Sequence, residues 1–434
     1  MKKIIYILFF ICTITFAHTY HGVSMAPNTL KGWVVTSDTG WVFYTPDCGL
    51  SWISQCFLTS RYFRDIFFLN EQKGWICTDQ GFVYHTEDGG IIWTNQVMGL
   101  SKNSFRISFL DDNCGWVGCR SAIIGRTISG GQDWQQIWLP YPPFHVDTVD
   151  IWGLSFANRQ KGWFCSGRFL KYIESLPGQG DTWFRKGQGF IGVSNDSGIN
   201  WQLLLRDTIN DFYDIKMMDS LNGFVVGGND RTMSATVMKT QNGGVTWQTL
   251  SIPSQAHYLR SLKIIGNKIW VVGHSGTILH SDGGGINWVL QTCPIDTTLY
   301  DIDFSDSIHG LIAGDGAVLY THDGGNSWHI VNLGIDERIA VPFGSAMTMT
   351  LYVKVYPNPV KSLTAILYTL SAEGKVSLQL YDILGRLIKT LVNENKKAGN
   401  YSLTLNSKTL SAGVYFLALE TSNKKIIERF VIIK

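Results

Sequence analysis

Three arginines raise the question of chemistry first. Arg106 sits in the run Phe105-Arg106-Ile107-Ser108, and Arg64 and Arg260 fall near the same place in other segments of the chain. Guanidinium groups gathered on one rim can hold a carboxylate, because their fork of N–H donors matches its two oxygens. A glycoside hydrolase or lyase built on Arg64, Arg106 and Arg260 would also need an acid and a nucleophile paired at the same mouth. No such pair stands out, so no catalytic residue is assigned. Other motifs with suggestive spacing have plainer structural readings. Gly187-Gln188-Gly189-Phe190-Ile191-Gly192 has dinucleotide-loop spacing, but it leads into a strand pattern rather than opening a helix. His85 and His280 occupy one recurring position that Tyr320 also fills, so they read as strand residues. Asp65, Asp214 and Asp301 share another, which suits a repeated structural hydrogen bond. Without Cys12 seven cysteines remain, an odd number with no CxxC spacing, so neither a metal site nor a complete disulfide framework is signalled. No cofactor is implied.

The elements that must position any site are repeats. A polar turn ending in tryptophan recurs at Trp52, Trp93, Trp134, Trp201, Trp247, Trp288 and Trp328; five gaps are 40 to 46 residues and one is 67. A fixed period of that length marks an array of supersecondary units. The second unit shows their content: Asp65-Ile66-Phe67-Phe68, then Gly74-Trp75-Ile76-Cys77, then Phe82-Val83-Tyr84-His85-Thr86, then the turn to Trp93. Short alternating runs rich in β-branched and aromatic residues, separated by Gly, Asp and Asn, predict four antiparallel strands per unit. Seven such units predict an all-β chain with a seven-bladed propeller over 18–341. The turn follows Ser/Thr-x-Asp-x-Gly-x-x-Trp, with Asp47, Asp88, Asp196 and Asp323 as its structural carboxylates and Ser129, Asn242 and Gly283 in degenerate copies. Asp and Ser/Thr side chains bond nearby backbone N–H groups there, and Gly supplies φ > 0. The tryptophan is expected to bury its ring where one sheet meets the next.

The turn resembles the Asp-box, or bacterial neuraminidase repeat, and the whole unit resembles the seven-bladed propellers of the photosystem II assembly and stability factor family. The resemblance covers residues 20–335, and it implies the fold rather than a photosystem client. Phe105-Arg106-Ile107-Ser108 resembles the Phe-Arg-Ile-Pro signature of sialidases, with Ser108 in place of the proline. Those enzymes have six blades and fewer such turns, which favours binding over catalysis.

Both ends carry addresses. Lys2-Lys3, an apolar run from Ile4 to Phe16 and then Ala17 read as a signal peptide, 1–17, too short to span a bilayer. Residues 354–434 follow a linker at 342–353 and contain no tryptophan. Tyr356-Pro357-Asn358-Pro359, Leu380-Tyr381-Asp382-Ile383-Leu384-Gly385-Arg386 and Ala412-Gly413-Val414-Tyr415-Phe416 alternate as a small β-sandwich would. This module resembles the type A sorting domain of the type IX secretion system, which implies passage through the periplasm, removal of the module, and release or attachment at the cell surface. The secretion machinery would be one partner. Overall charge is +2, but residues from Leu351 onward hold 12 Lys/Arg against 5 Asp/Glu, leaving the remainder acidic. No basic field argues for nucleic acid.

Irregularities in the repeat point to a ligand face. The connection from Trp134 to the next blade is longer than its counterparts, blade four inserts about 20 residues between Gly167 and Gly187, and blade five adds 228–233. In a propeller these loops open on one face, opposite the Asp-box turns. They carry Trp138, Tyr141, Phe144, His145, Arg168, Tyr172, Trp183, Phe184, Arg185 and Arg231. Aromatic residues and arginine on rigidly held loops are the composition of an interface for a protein or glycan partner.

Overall fold

The structure is a computed structural model. It describes residues 18–38, 40–56, 62–99, 102–139, 149–168, 170–175, 181–186, 189–229, 231–331, 333, 351–356, 360, 363–370, 372–397 and 399–433, with 168–186 described as backbone only. The expected leader at 1–17, the expected linker up to residue 350, and Tyr141, Phe144 and His145 lie outside these residues.

Seven four-stranded antiparallel sheets follow one another along the chain, each built from a contiguous stretch. In blade two the strands are Phe63–Phe68, Gly74–Thr78, Phe82–Thr86 and Thr94–Val97. The first strand of each blade touches the first strands of both neighbours, and that of blade seven (Leu299–Phe304) touches that of blade one (Tyr20–Met25), so the ring is closed and the first strands line its axis. The chain is therefore all-β, a seven-bladed propeller followed by a small sandwich.

What joins the blades is legible in the side chains. The second strand of five blades offers a fully buried tryptophan: Trp33, Trp75, Trp116, Trp163 and Trp270. Trp33 stacks on Phe68 of the next blade at 3.5 Å, Trp75 on Phe109 at 3.7 Å, Trp116 on Phe156 at 3.4 Å and Trp270 on Phe304 at 3.9 Å. Each of the five also donates its indole N–H to a carbonyl in the next blade's polar turn, as Trp75 does to Gly130 at 3.2 Å and Trp163 to Gly243 at 2.8 Å. The turn tryptophans play a lesser part than their period suggests. Trp201, Trp288 and Trp328 are buried, but Trp52, Trp93, Trp134 and Trp247 are only partly so. Where they reach the interface they stand edge-on to the same phenylalanines, as Trp93 does to Phe68 at 88°. The blade contact is thus a stacked pair capped by a third ring.

The turns themselves obey the chemistry of their residues. Ser194 Oγ accepts from Gly198 N at 2.8 Å, Asp196 Oδ1 accepts from Asn200 N at 2.8 Å, and Trp201 donates to Gly198 O at 2.9 Å. Gly198 has φ 84° and its six counterparts lie between 86° and 95°, a conformation only glycine adopts without strain. Ser129 and Asn242 replace the aspartate with the same acceptor, from Asp133 N at 3.0 Å and Thr246 N at 2.9 Å.

Blade four departs from the pattern by one element. Between its second strand (Gly162–Arg168) and third strand (Gly189–Ser194), a separate two-stranded hairpin forms from Leu170–Ser175 and Asp181–Lys186. The C-terminal module has one sheet of Tyr352–Tyr356, Leu363–Leu370 and Gly399–Asn406 and another of Leu387–Lys396, Gly374–Asp382, Gly413–Thr421 and Lys425–Ile432. Val355, Ile366, Leu378, Leu417 and Phe430 close a dry core between the two sheets.

Candidate functional site

Every first strand carries one extra residue near its start. The register against the second strand skips His21, Arg64, Phe105, Trp152, Tyr213, Arg260 and Tyr300, one β-bulge per blade. A bulge re-aims its side chain out of the ladder. Repeated seven times on the innermost strands, it gathers a ring of side chains at one mouth of the channel. The first strands begin where the chain enters from the preceding blade, so this mouth shares its face with the connections between second and third strands. That is the face of the blade-four hairpin and the blade-five loop.

The ring is physically continuous over most of its course. Trp152 stacks on Tyr213 at 3.9 Å and 15°. The Arg260 guanidinium lies 4.1 Å from the Tyr213 ring and 5.9 Å from that of Tyr300. Tyr300 in turn stacks on His21 at 4.9 Å and 16°. His21 Nδ1 meets the Arg64 carbonyl at 2.7 Å. A carbonyl only accepts, so Nδ1 carries the proton and Nε2 is left as an acceptor. Enclosure by protein holds the His21 pKa down at about 3, and the positive field of Arg64 adds to that effect, so the ring is neutral. Phe105 and Met233 pack against Trp152, Tyr213 and Tyr258, which brings the blade-five loop onto the ring.

One residue further along each strand the chemistry changes. Gly22, Asp65, Arg106, Gly153, Asp214, Ser261 and Asp301 occupy equivalent positions. Asp65, Asp214 and Asp301 each accept a backbone N–H from the following blade, from Ile107 at 2.8 Å, Leu262 at 3.1 Å and Val23 at 3.0 Å. Glycine fills the position at blades one and four for want of space: a Cβ on Gly22 would stand 2.9 Å from the Asp65 Cα, and one on Gly153 would stand 2.6 Å from Cys165 Sγ. Arg106 ties three carboxylates together, 3.8 Å from Asp65, 3.5 Å from Asp214 and 3.2 Å from Asp301. Ser261 Oγ donates to Asp301 at 2.6 Å, and Lys216 Nζ sits 3.2 Å from Asp214. Burial is the largest influence on Asp65. Arg106 opposes it and Asp301 reinforces it, leaving the carboxyl pKa raised to about 7.

The three arginines read from the sequence therefore divide. Arg64 and Arg260 occupy the bulge ring. Arg106 is one register further on, locked in the carboxylate hub, and Phe105 takes its place in the ring. Arg260 donates Nε to His274 at 3.1 Å; Arg64 meets no carboxylate among the described residues, and its Nε is buried without a partner. Of the loop residues, Trp138 is 56 % exposed at the end of its strand and Arg231 is exposed. Arg168, Tyr172, Trp183, Phe184 and Arg185 lie on the blade-four excursion, where the register pairs Tyr172 with Phe184, Ile173 with Trp183 and Lys171 with Arg185. The aromatic members of the ring, Phe105, Trp152, Tyr213 and Tyr300, are absent from a reading based on loop length. Their signal lay one residue before the aligned Asp65, Asp214 and Asp301, and it becomes visible once blades lacking the aspartate are aligned as well.

Comparison with known proteins agrees with this architecture. The family model described as photosynthesis system II assembly factor YCF48 matches residues 48–151, 193–292 and 286–350, and the secretion system C-terminal sorting domain matches residues 354–434. The photosystem II assembly lipoprotein Ycf48 of Synechococcus sp. (strain CC9902) is 30 % identical over 144 residues, 31 % of this chain and 41 % of that protein. The chain thus spans about two fifths of that relative's length. A solved structure of YCF48 bound to a D1 peptide superposes with a TM-score of 0.53 at 18 % identity, covering 71 % of this chain and 92 % of that one. The WD40 propeller domain of Doa1 gives 0.52 at 11 % identity, covering 70 % and 92 %. A closed ring of seven such repeats, matched over most of its length, makes this chain a member of the photosynthesis system II assembly factor YCF48 family that ends in a secretion system C-terminal sorting domain.

Proposed function

We propose that this chain is an exported binding propeller that captures a polypeptide or glycan partner through the face bearing the bulge ring and the lengthened loops of blades three to five. In this reading residues 1–17 are the leader, 18–341 the binding unit and 354–434 a module that hands the protein to the type IX machinery, with the outer surface or the medium as destination. The observation that carries it is the ring: seven inner strands each spend an extra residue to place a side chain at one mouth, and those side chains are aromatic rings, a neutral histidine and two arginines. Aromatic and guanidinium groups held on a rigid frame are the anchors of interfaces. The YCF48 relative solved with a bound peptide supports a polypeptide as the partner class. Asp65, Asp214 and Asp301 engage Arg106 and backbone N–H groups, which supports a structural role for these three over the acid and nucleophile that glycoside hydrolysis requires facing the substrate.

Arrays of synthetic peptides and of glycans probed with the purified protein test this. Selective binders should emerge, and Arg260→Ala or Tyr300→Ala should weaken them roughly tenfold or more, about the loss expected for an interface anchor. Full binding by both variants, or turnover of an arrayed glycan, would overturn the reading.

A further inference from the structure

We propose that the sorting module is recognised through a preformed apolar knob at residues 382–388, which enters an apolar pocket rimmed by carboxylates on the secretion partner. The inference rests on the export reading above. The hairpin between Gly374–Asp382 and Leu387–Lys396 ends in a four-residue turn that its own hydrogen bonds make rigid. Asp382 Oδ1 accepts from Leu384 N and from Arg386 N, both at 2.9 Å, while Oδ2 pairs with Arg386 Nε at 2.7 Å. Backbone bonds from Gly385 N to Asp382 O and from Asp382 N to Arg386 O close it further, at 3.0 and 3.1 Å. Gly385 has φ 75° with no neighbour near its missing Cβ, so the turn is set by chemistry rather than by packing. The bonds to Arg386, backbone first, hold the Asp382 carboxyl below its usual range, so the clasp stays charged at neutral pH.

This rigid frame displays the wrong residues for a solvent-facing tip. Ile383 is 66 % exposed and Leu384 is 74 % exposed. Two register shifts in the pairing with the preceding strand, one of them skipping Ile388, leave Leu387 and Ile388 exposed beside them. Hairpin tips ordinarily take Asn, Gly, Asp or Ser. Two exposed aliphatics on a stiff turn and two more at the start of the strand that follows form a patch of the kind that marks an interaction site. Order already present before binding removes the entropy cost of fixing the contact. The partner's chemistry follows from two features. The module from Leu351 onward carries 12 Lys/Arg against 5 Asp/Glu, and Arg386 stands exposed beside the knob. A pocket ringed by acidic groups is the complement. The strand Leu387–Lys396 is also the edge of its sheet, which lets a partner approach from the side.

The test compares the full chain with its Ile383→Ser/Leu384→Ser variant in a host that possesses a type IX system, scoring protein outside the cell against protein retained. The variant should melt at the wild-type temperature once purified, since exposed positions contribute little to stability, and its external fraction should fall roughly tenfold or more. Ile427→Ser, 62 % exposed on the strand at the opposite edge of the same sheet, should be exported normally. If the serine pair lowers the melting temperature, Leu384→Lys decides by the same readout. Equal export of wild type and knob variants overturns the proposal alone, as does equal retention of Ile427→Ser. A wild-type chain that never leaves the cell overturns the export reading and the ground beneath the proposal with it.

Discussion

Asp65 shows how much the channel wall asks of a single side chain. Its carboxyl latches blade two to blade three and faces a second aspartate, Asp301, across Arg106. Enclosure raises its pKa to about 7, whereas an unfolded aspartate titrates at about 3.9. Between those values the folded chain holds a proton that the unfolded chain has released. The contribution of this group to stability is therefore full below about pH 4, falls as pH rises towards about 7, and is flat above. Urea unfolding of wild type and Asp65→Asn across that window should show the decline in the first and its loss in the second; parallel profiles would contradict the assignment. Asp196 is the contrasting case, a half-exposed turn residue that accepts from Asn200 and Ser194. Asp196→Ala should cost on the order of 1 kcal/mol through lost turn bonds. Partner binding should be untouched, because that turn opens on the other face. Lost binding at an unchanged melting temperature would refute the face assignment.

At the level of elements, strand period and turn chemistry announce themselves, whereas register does not. Gly74-Trp75 and Thr86 through Trp93 specify a strand and a turn from local residues alone, so blade number and order are readable from the sequence. The bulge at Arg64 is a different matter. Whether Arg64 or Asp65 faces its partner depends on how the strand is paired, and a slip of one residue exchanges the two roles. For that reason the sequence alone groups Arg106 with Arg64 and Arg260, although the register places it with Asp65. The division of labour among tryptophans is likewise set by packing. Trp75→Ala should cost roughly 3–5 kcal/mol, since it empties a fully buried stack. Trp138→Ala should stay within about 0.5 kcal/mol on thermal unfolding. Replacing the blade-four segment 168–186 by a short turn should likewise preserve cooperative unfolding while abolishing partner binding in the array assay. Retained binding would remove the excursion from the interface.

For the whole molecule, the proposed itinerary makes a prediction about its ends. Mass spectrometry of external protein should find chains beginning at His18 and lacking the module at 354–434; an intact Lys434 on the mature protein would sink the cleavage claim. Among the described residues the ring closes without a shared strand. Among the described residues blade seven meets blade one through side chains, an isolated bridge between Thr19 and Asp315, and bonds that include Asp301 to Val23 N, Asp303 to Met25 N at 2.7 Å, Ser305 O to Asn28 N at 3.0 Å, and Gly316 N to the carbonyl of His18 at 3.0 Å. Cys48, Leu311, Ala313 and Val318 bury the rest of that contact. Synthesis runs from blade one to blade seven, so the first blade waits with an uncovered flank until the last repeat has been made. The sorting module is translated directly after the repeat that covers it. A nascent chain that stops early lacks both the closing blade and the delivery label, so translation order alone makes the label a certificate that the ring could be shut.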